Sequence, residues 1–290
     1  MNESRWEKLI LKSRRSDKFK NIKVNLTILQ MIGMVDYHMH SILSDGHNSY
    51  EEMIKSAITK GLDEIGFSDH VCLKPADWAI RLEDIPVMTT QILDLKQKYK
   101  DQIQIKYGIE LDYFPGQENE LKDLIESIPV DYVIGSVHFI GNWNFDIDQS
   151  LYGKWSNNKL YEIYFGLVQK AAQSGLFDII GHIDIIKKFR VYPETNQDKL
   201  FEDTIKIIKE HNVVVELNTG GMDRPCAEFT PGTRLLELCY QHQVPVTLSS
   251  DAHRAEQIAR HYESATALLS QIGYTEIVGF NKRIRRIIRL

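Results

Sequence analysis

Met34-Val35-Asp36-Tyr37-His38-Met39-His40 is the stretch from which the fold can be read: a short apolar run that ends in a His-x-His pair. A polar loop through Asp45 and Gly46 follows, and then a segment with helical spacing. Ser49 and Glu52 form a capping box, Tyr50, Met53, Ile54, Ala57 and Ile58 recur at helical intervals, and Gly61 stands where a residue just past a helix end belongs. A second apolar run, Glu64-Ile65-Gly66-Phe67, ends in Ser68-Asp69-His70. The pattern predicts strand, helix, strand, with ionisable residues directly after each strand.

The same unit recurs along the chain. Strand-like runs lie at Val35–His38, Glu64–Phe67, Ile103–Ile109, Tyr132–Val137, Ile179–His182, Val213–Leu217 and Val246–Leu248. Helical patterns stand between them, notably at Lys159–Ser174, Leu200–His211, Arg234–Gln243 and Glu256–Ile272. Strands alternating with helices predict a parallel sheet. No low-complexity linker or composition break interrupts the series, and α/β barrels of about 250 residues fold as one unit. The run Asn281–Arg289, with five cations and Ile284, Ile287 and Ile288, is expected to form a final helix docked on the barrel rather than a nucleic-acid patch.

Composition narrows the class. With 43% apolar and 26% charged residues, disorder, collagen and coiled coil are excluded. Lys plus Arg is 35 against 40 Asp plus Glu, a net charge of −5, which is not that of a general polyanion binder. Cys72, Cys226 and Cys239 have no metal-like spacing and form no disulfide framework, so a reducing cytosol is the expected setting. No apolar run approaches the roughly 18 residues of a membrane span, and no signal-peptide core is present. Residues 1–33 are basic with interspersed acids, unlike an organellar transit peptide, and carry an idle sequon at Asn25. They read as an extension, with Met34 as an alternative start and residues 34–290 as the barrel.

Each apolar run ends in polar groups: His38-Met39-His40, Asp69-His70, Glu110-Leu111-Asp112, His138, His182-Ile183-Asp184, Glu216-Leu217-Asn218 and Asp251-Ala252-His253. In a parallel barrel the C-terminal strand ends converge on one face, so distant residues can share a pocket. Six of the ten histidines stand at these ends. Imidazoles with carboxylates such as Glu110 and Asp251 suit transition metals, and the set exceeds what one tetrahedral ion requires, so it reads as a multinuclear centre. His38 and His40, two apart on a strand, point the same way and can reach one ion.

Other readings stay open for the remaining groups. Asp69-His70 and Asp251-Ala252-His253 could activate a nucleophile, but no Gly-x-Ser-x-Gly elbow accompanies them. Asp69 and Asp184 fit either orientation of a neighbouring imidazole or ordinary strand-end capping. Glu216 is either functional or a paired interior carboxylate. Lys187, Lys188 and Arg224 place cations at the same face, suiting an anionic substrate or merely solvated loops, while Trp78, Arg81, Trp143 and Trp155 are loop candidates for contacting the rest of a substrate.

In order, His38-Met39-His40-Ser41-Ile42-Leu43-Ser44-Asp45-Gly46, Gly66-Phe67-Ser68-Asp69-His70, Gly108-Ile109-Glu110, Gly135-Ser136-Val137-His138, Gly181-His182-Ile183-Asp184 and Ser250-Asp251-Ala252-His253 resemble the polymerase and histidinol phosphatase (PHP) superfamily. The segments Gly181–Phe189 and Glu216–Gly221 are similar to its histidinol-phosphatase branch. The resemblance implies a distorted (βα)7 TIM-like barrel with three divalent or transition metal ions, manganese, iron or zinc. His38, His40, Glu110 and Asp251 would match the first site, with Glu110 bridging to a second completed by His138 and His182. Asp45, His70 and His253 would match the third; Asp45 stands where other members sometimes carry His. Lys188 and Arg224 occupy positions for binding the substrate phosphate, although arginine is the expected residue at the first.

The implied reaction is hydrolysis of a small-molecule phosphate monoester, L-histidinol phosphate in histidine biosynthesis, with Asp45 or His253 as acid for the departing alkoxide. Binding to a metal brings the pKa of water from 15.7 toward about 7, which supplies a nucleophile at neutral pH. Neither a nucleic acid nor a membrane is an expected partner. One rival is a PHP phosphoesterase acting on nucleotides or a nucleic-acid 3′ end, which would need a longer basic groove. A second is an amidohydrolase-type barrel, which usually wants a bridging lysine that no strand end here supplies. A metal-binding scaffold without activity is the third, and all nine ligand positions being filled argues against it.

Overall fold

The computed structural model describes residues 33–74 and 76–290; the basic stretch and sequon before Gly33 lie outside the described residues. Strand β1 (Val35–Asp36) is followed by α1 (Tyr50–Thr59), β2 (Glu64–Phe67), the short β3 (His70–Val71), α2 (Ile85–Lys98), β4 (Gln104–Asp112), α3 (Glu118–Glu126) and β5 (Tyr132–Ser136). A small hairpin, β6 (Phe139–Ile140) and β7 (Trp143–Asn144), precedes α4 (Asn157–Gln173) and β8 (Ile179–Ile180). The chain continues through α5 (Asp198–Glu210), β9 (Val214–Asn218), α6 (Thr233–Gln241), β10 (Val246–Ser249) and α7 (Tyr262–Ile272), and ends with β11 (Glu276–Asn281) and β12 (Ile284–Arg289).

The seven anticipated runs become the sheet β1-β2-β4-β5-β8-β9-β10, every neighbouring pair parallel, with β3 added beside β4. The two ends meet just beyond β1 and β10: the His40 amide donates to the Ala252 carbonyl at 2.9 Å, and the Ala252 amide to the His38 carbonyl at 3.1 Å. This pairing closes a distorted TIM-like barrel at the level of the polar strand ends. Inside, the fully buried Tyr132 ring lies over Gly66 and Gly108, where any Cβ would overlap it, and its hydroxyl donates to the Tyr37 carbonyl at 2.6 Å. A barrel interior is thus filled by side chains rather than left as a pore.

Local rules hold in α1, where Ser49 and Glu52 cap each other's backbone and side chain as the sequence predicts, and Tyr50, Met53, Ile54 and Ala57 are buried. The helix predicted to start at Glu256 begins later: a 3-10 turn at Ala255–Gln257 is followed by the left-handed residues Ala259 and His261 before α7. The final segment is a larger correction. It is not a helix but an antiparallel hairpin, β11 with β12, turned at the left-handed pair Lys282 and Arg283.

Apolar spacing at Ile284, Ile287 and Ile288 misleads because only Ile288 is buried; Ile284 and Ile287 are exposed. The cations are spent on the barrel. Arg283 pairs with Asp178 at 2.8 Å, Arg286 with Glu64 at 2.6 Å, and Arg285 donates to Asn212 Oδ1 at 2.8 Å. No helix among the described residues is long and apolar enough to cross a membrane.

Candidate metal centre

The first turn after β1 brings His38 and His40 over the end of the barrel, both fully buried, and Gly46 lets the loop fold back because a Cβ there would overlap the His40 carbonyl. Glu110, near the end of β4, is 1% exposed and stands at the middle of the cluster. Its Oε2 lies 3.0 Å from His38 Nε2, 3.5 Å from His40 Nε2 and 2.8 Å from His70 Nδ1. Its Oε1 lies 3.0 Å from His182 Nε2 and 3.8 Å from His138 Nε2. Asp251 Oδ1 is 3.3 Å from His40 Nε2, and Asp45 Oδ2 is 3.2 Å from His253 Nε2.

All nine sequence-derived positions therefore converge. Three groups have donor atoms lying within 4.8 Å of one another: His38, His40 and Glu110; Glu110, His138 and His182; and His40, Asp45, His70 and His253. Glu110 is shared by the first two groups, and His40 by the first and third.

The donor atoms suit cations on grounds internal to the cluster. His38 Nε2, both ring nitrogens of His40, Asp45 Oδ1, Glu110 Oε2 and His182 Nδ1 are buried without a hydrogen-bond partner. Buried polar atoms are otherwise nearly always paired, so the orphaned His38, His40 and Glu110 atoms around one volume are costly unless an ion fills it; His182 Nδ1 lies on the far side of its ring from the Nε2 that meets Glu110. The His138 and His182 Nε2 atoms face each other at 3.3 Å beside Glu110 Oε1, so both rings turn the same nitrogen toward one point. Imidazole nitrogens with carboxylate oxygens make a site for divalent metal ions.

Charges in the cluster are strongly coupled. Burial opposes protonation of His70, but the carboxylates of Glu110 and Asp45 outweigh it and push the imidazole up to about 10. His138 rises to about 9, with Asp112 and Glu110 overcoming burial. His40 moves the other way, to about 4, because burial and the neighbouring His70 and His253 all disfavour its charge. Burial opposes the charge of Glu110, but His70 and His38, with a hydrogen bond from His182, outweigh it and hold the carboxyl well below the usual range.

A ring of carboxylates orients the imidazoles from behind. Glu216 Oε1 is 2.5 Å from His38 Nδ1 and also accepts from Ser249 Oγ, while its Oε2 accepts from the His182 amide at 2.7 Å. Asp112 Oδ1 is 3.0 Å from His138 Nδ1. Asp69 touches no imidazole ring; it accepts from the Ser41 amide at 2.7 Å, from Ser44 Oγ at 2.6 Å and from the Tyr50 hydroxyl, holding the His-x-His loop in place. Asp184 faces away toward Lys187 at 2.8 Å and the Gly232 amide at 2.9 Å.

Two residues in the site carry left-handed backbones without being glycine, His182 with φ 21° and Asp251 with φ 52°. Such conformations persist only when their surroundings hold them. Arg260 does this for Asp251, donating from Nη2 to the Asp251 carbonyl at 2.8 Å and from Nε to the Ser250 carbonyl at 2.9 Å. Sequence reasoning passed over Arg260 and assigned no role to Asp112. Asp112 could have been read from its i, i+2 relation to Glu110; Arg260 could not, because its partners are two backbone carbonyls and the Asp223 carboxylate 37 residues away.

Beside the cluster opens a cleft of about 400 Å³ lined by Asp45, His138, Asp146, Lys188, Arg224 and Asp251 among others. Lys188 and Arg224 both reach it, whereas Lys187 pairs with Asp184 and Glu228 elsewhere. The Lys188 ammonium is bound to Asp146, a partner the sequence did not reveal. Of the four loop candidates, Trp78 sets its ring edge-on to His70 at 4.9 Å; Arg81 pairs with Asp84, and Trp143 and Trp155 pack on each other. None of the four lines the cleft.

Comparison with known proteins agrees with the geometry. Residues 36–220 match the PHP domain model. A probable histidinol-phosphatase of Deinococcus radiodurans is 31% identical, covering 84% of this chain and 95% of its own. The histidinol-phosphatase of Lactococcus lactis is 26% identical, covering 85% and 94%. A crystal structure of histidinol phosphate phosphatase from the same organism, complexed with zinc, L-histidinol and phosphate, superposes with a TM-score of 0.77 at 25% identity over 88% of this chain and 99% of that one. With the barrel, the converging histidines and these matches together, the chain belongs to the PHP domain family.

Proposed function

We propose that this protein is a metal-dependent histidinol-phosphatase, hydrolysing L-histidinol phosphate to L-histidinol and phosphate in histidine biosynthesis, with residues 34–290 acting as one unit. The observation that carries the reading is Glu110, buried between His38 and His40 on one oxygen and His138 and His182 on the other, beside a cleft that Lys188 and Arg224 also line. The names of the relatives, and the zinc, histidinol and phosphate of the Lactococcus lactis structure, support the substrate.

In this reading three ions, of manganese, iron or zinc, are held by His38, His40, Glu110 and Asp251; by Glu110, His138 and His182; and by Asp45, His70 and His253. When bound, they would supply a deprotonated water at neutral pH and neutralise charge on the phosphoryl oxygens. Lys188 and Arg224 hold the remaining phosphate oxygens. The ester P–O bond breaks as a new P–O bond to water forms, and the departing alkoxide needs a proton. Asp45 or His253, whose Oδ2 and Nε2 lie 3.2 Å apart where both line the cleft, would deliver that proton. Glu216 and Asp112 keep the His38 and His138 rings turned so that their Nε2 atoms face the centre.

Phosphate release from L-histidinol phosphate, 4-nitrophenyl phosphate and a nucleoside monophosphate by manganese-reconstituted protein tests this reading. Strong preference for the first supports it. Equal weak turnover of all three would leave a phosphoesterase of another substrate, and preference for the nucleotide or for single-stranded DNA would favour the nucleic-acid branch.

A further inference from the structure

One cation of the cleft lining, Lys188, is already neutralised from within. Lys188, nearly buried, places its ammonium 2.7 Å from Asp146 Oδ1 and donates to the Asp146 carbonyl at 2.9 Å. The loop carrying Asp146 is fixed on both sides. Phe145, fully buried, donates its amide to the His138 carbonyl at 3.1 Å, the Asp146 amide donates to Asn144 Oδ1 at 3.1 Å, and the Trp143 indole donates to the Asp148 carbonyl at 2.7 Å.

Asp146 is also distinct among the carboxylates that line the cleft. Asp45, Glu110 and Asp251 sit within the imidazole cluster, and Asp223 is held by Arg260 at 3.0 Å and by His261 at 2.7 Å. Among the described residues Asp146 makes its one ion pair with Lys188, while His138 and Arg224 act on its charge from further off.

We propose that Asp146 and Lys188 form an exchange pair that selects a zwitterionic phosphate ester: the phosphate takes Lys188 and the cationic amine of the same substrate takes Asp146. The inference rests on the functional reading above for the identity of that substrate. A buried ion pair is tolerable while both charges are matched, and removing one partner leaves the other uncompensated. A phosphate that draws Lys188 away without bringing a cation leaves Asp146 unpaired beside a dianion. A phosphate ester that carries an ammonium replaces one matched pair by two. Discrimination thus comes from a penalty built against simple phosphates, including the inorganic phosphate product, as well as from attraction to the substrate.

Asp146→Asn removes the charge and keeps the shape. With metal-loaded, full-length protein, the expected result is that inorganic phosphate inhibits the variant at least about tenfold more tightly and L-histidinol at least about tenfold more weakly than the wild type. The ratio of kcat/KM for L-histidinol phosphate to that for 4-nitrophenyl phosphate should fall by at least about tenfold. If both products bind more weakly, Asp146 only holds Lys188 in place and the proposal is overturned; an unchanged ratio overturns it too.

Lys188→Met gives the mirror image, weaker phosphate and tighter L-histidinol, and decides the matter if the first variant does not fold. A wild type that fails to hydrolyse L-histidinol phosphate overturns the functional reading. The phosphate arm then still judges the pair, since phosphate affinity that fails to rise in Asp146→Asn contradicts it.

Discussion

Glu216 Oε1 approaches His38 Nδ1 at 2.5 Å near the barrel's closure, and through Oε2 the same carboxylate accepts the amide of His182 at 2.7 Å. One buried side chain therefore fixes an imidazole of one donor group and the backbone of a residue in another. Carboxylates in this relation to ligating histidines typically change metal affinity by about 10–100-fold when lost. Glu216→Ala is expected to weaken metal binding by that order in a titration against a competing chelator, while Glu216→Gln, which can still accept from the His182 amide, loses less. Equal affinity in all three proteins would remove the orienting role.

The orphaned atoms of His38, His40, Asp45 and Glu110 imply that bound ions stabilise the folded state. A ligand present at 100 times its Kd adds about 2.7 kcal/mol. Removing metal with a chelator should lower the melting temperature by several degrees and abolish hydrolysis, with manganese or zinc restoring both. A melting temperature indifferent to metal would contradict this.

At the opposite end of the barrel, Asp131 joins the C-terminal hairpin to β4 and α2. Its carboxylate accepts from Lys96 Nζ at 2.6 Å, the Tyr107 amide at 2.9 Å and the Lys282 amide at 3.0 Å, and its carbonyl accepts from the Arg283 amide at 2.8 Å. Burial opposes its charge, but Lys96 and the two amides outweigh burial and hold it below the usual carboxylate range. Because the folded value is the lower one, this stabilisation is complete above the ordinary carboxylate range and is lost as the pH falls through the depressed value. Asp131→Asn should cost about 1–3 kcal/mol near neutral pH in urea unfolding, with the difference from wild type shrinking in acid. A constant difference down to strongly acid pH would exclude the linkage.

Gly46 gives a sharper local test. A Cβ there overlaps the His40 carbonyl, so Gly46→Ala must shift the turn that carries Asp45. The expected outcome is partial loss of the ion proposed at Asp45, His70 and His253, seen as a lower metal count per chain, with the fold intact by circular dichroism. An unchanged count would show that the turn yields without moving Asp45.

Much of this was legible in the sequence because a parallel barrel converts strand ends into one surface. His38, His40, Glu110, His138, His182 and Asp251 could be read as convergent without any contact being known. Long-range partners of single side chains were not legible. Nothing near Arg260 in sequence marks it as the clamp on Ser250 and Asp251, and Asp146 carries no signal of its bond to Lys188, 42 residues away. The C-terminal hairpin was misread for a related reason: spacing at Ile284, Ile287 and Ile288 suits a helix, while its Arg side chains find their partners on the barrel, a tertiary effect that outweighs local pattern.

The central claim is that catalysis runs through a multinuclear centre organised by Glu110. Its most direct test is phosphate release from L-histidinol phosphate by wild type and Glu110→Gln, with bound metal counted in the same samples. The account predicts robust turnover by the wild type and, in the variant, fewer ions per chain and a kcat/KM lower by at least about a thousandfold, a size in keeping with losing ions that both generate the nucleophile and stabilise the transition state. Near-wild-type turnover by Glu110→Gln, or full activity in metal-free protein, would contradict it.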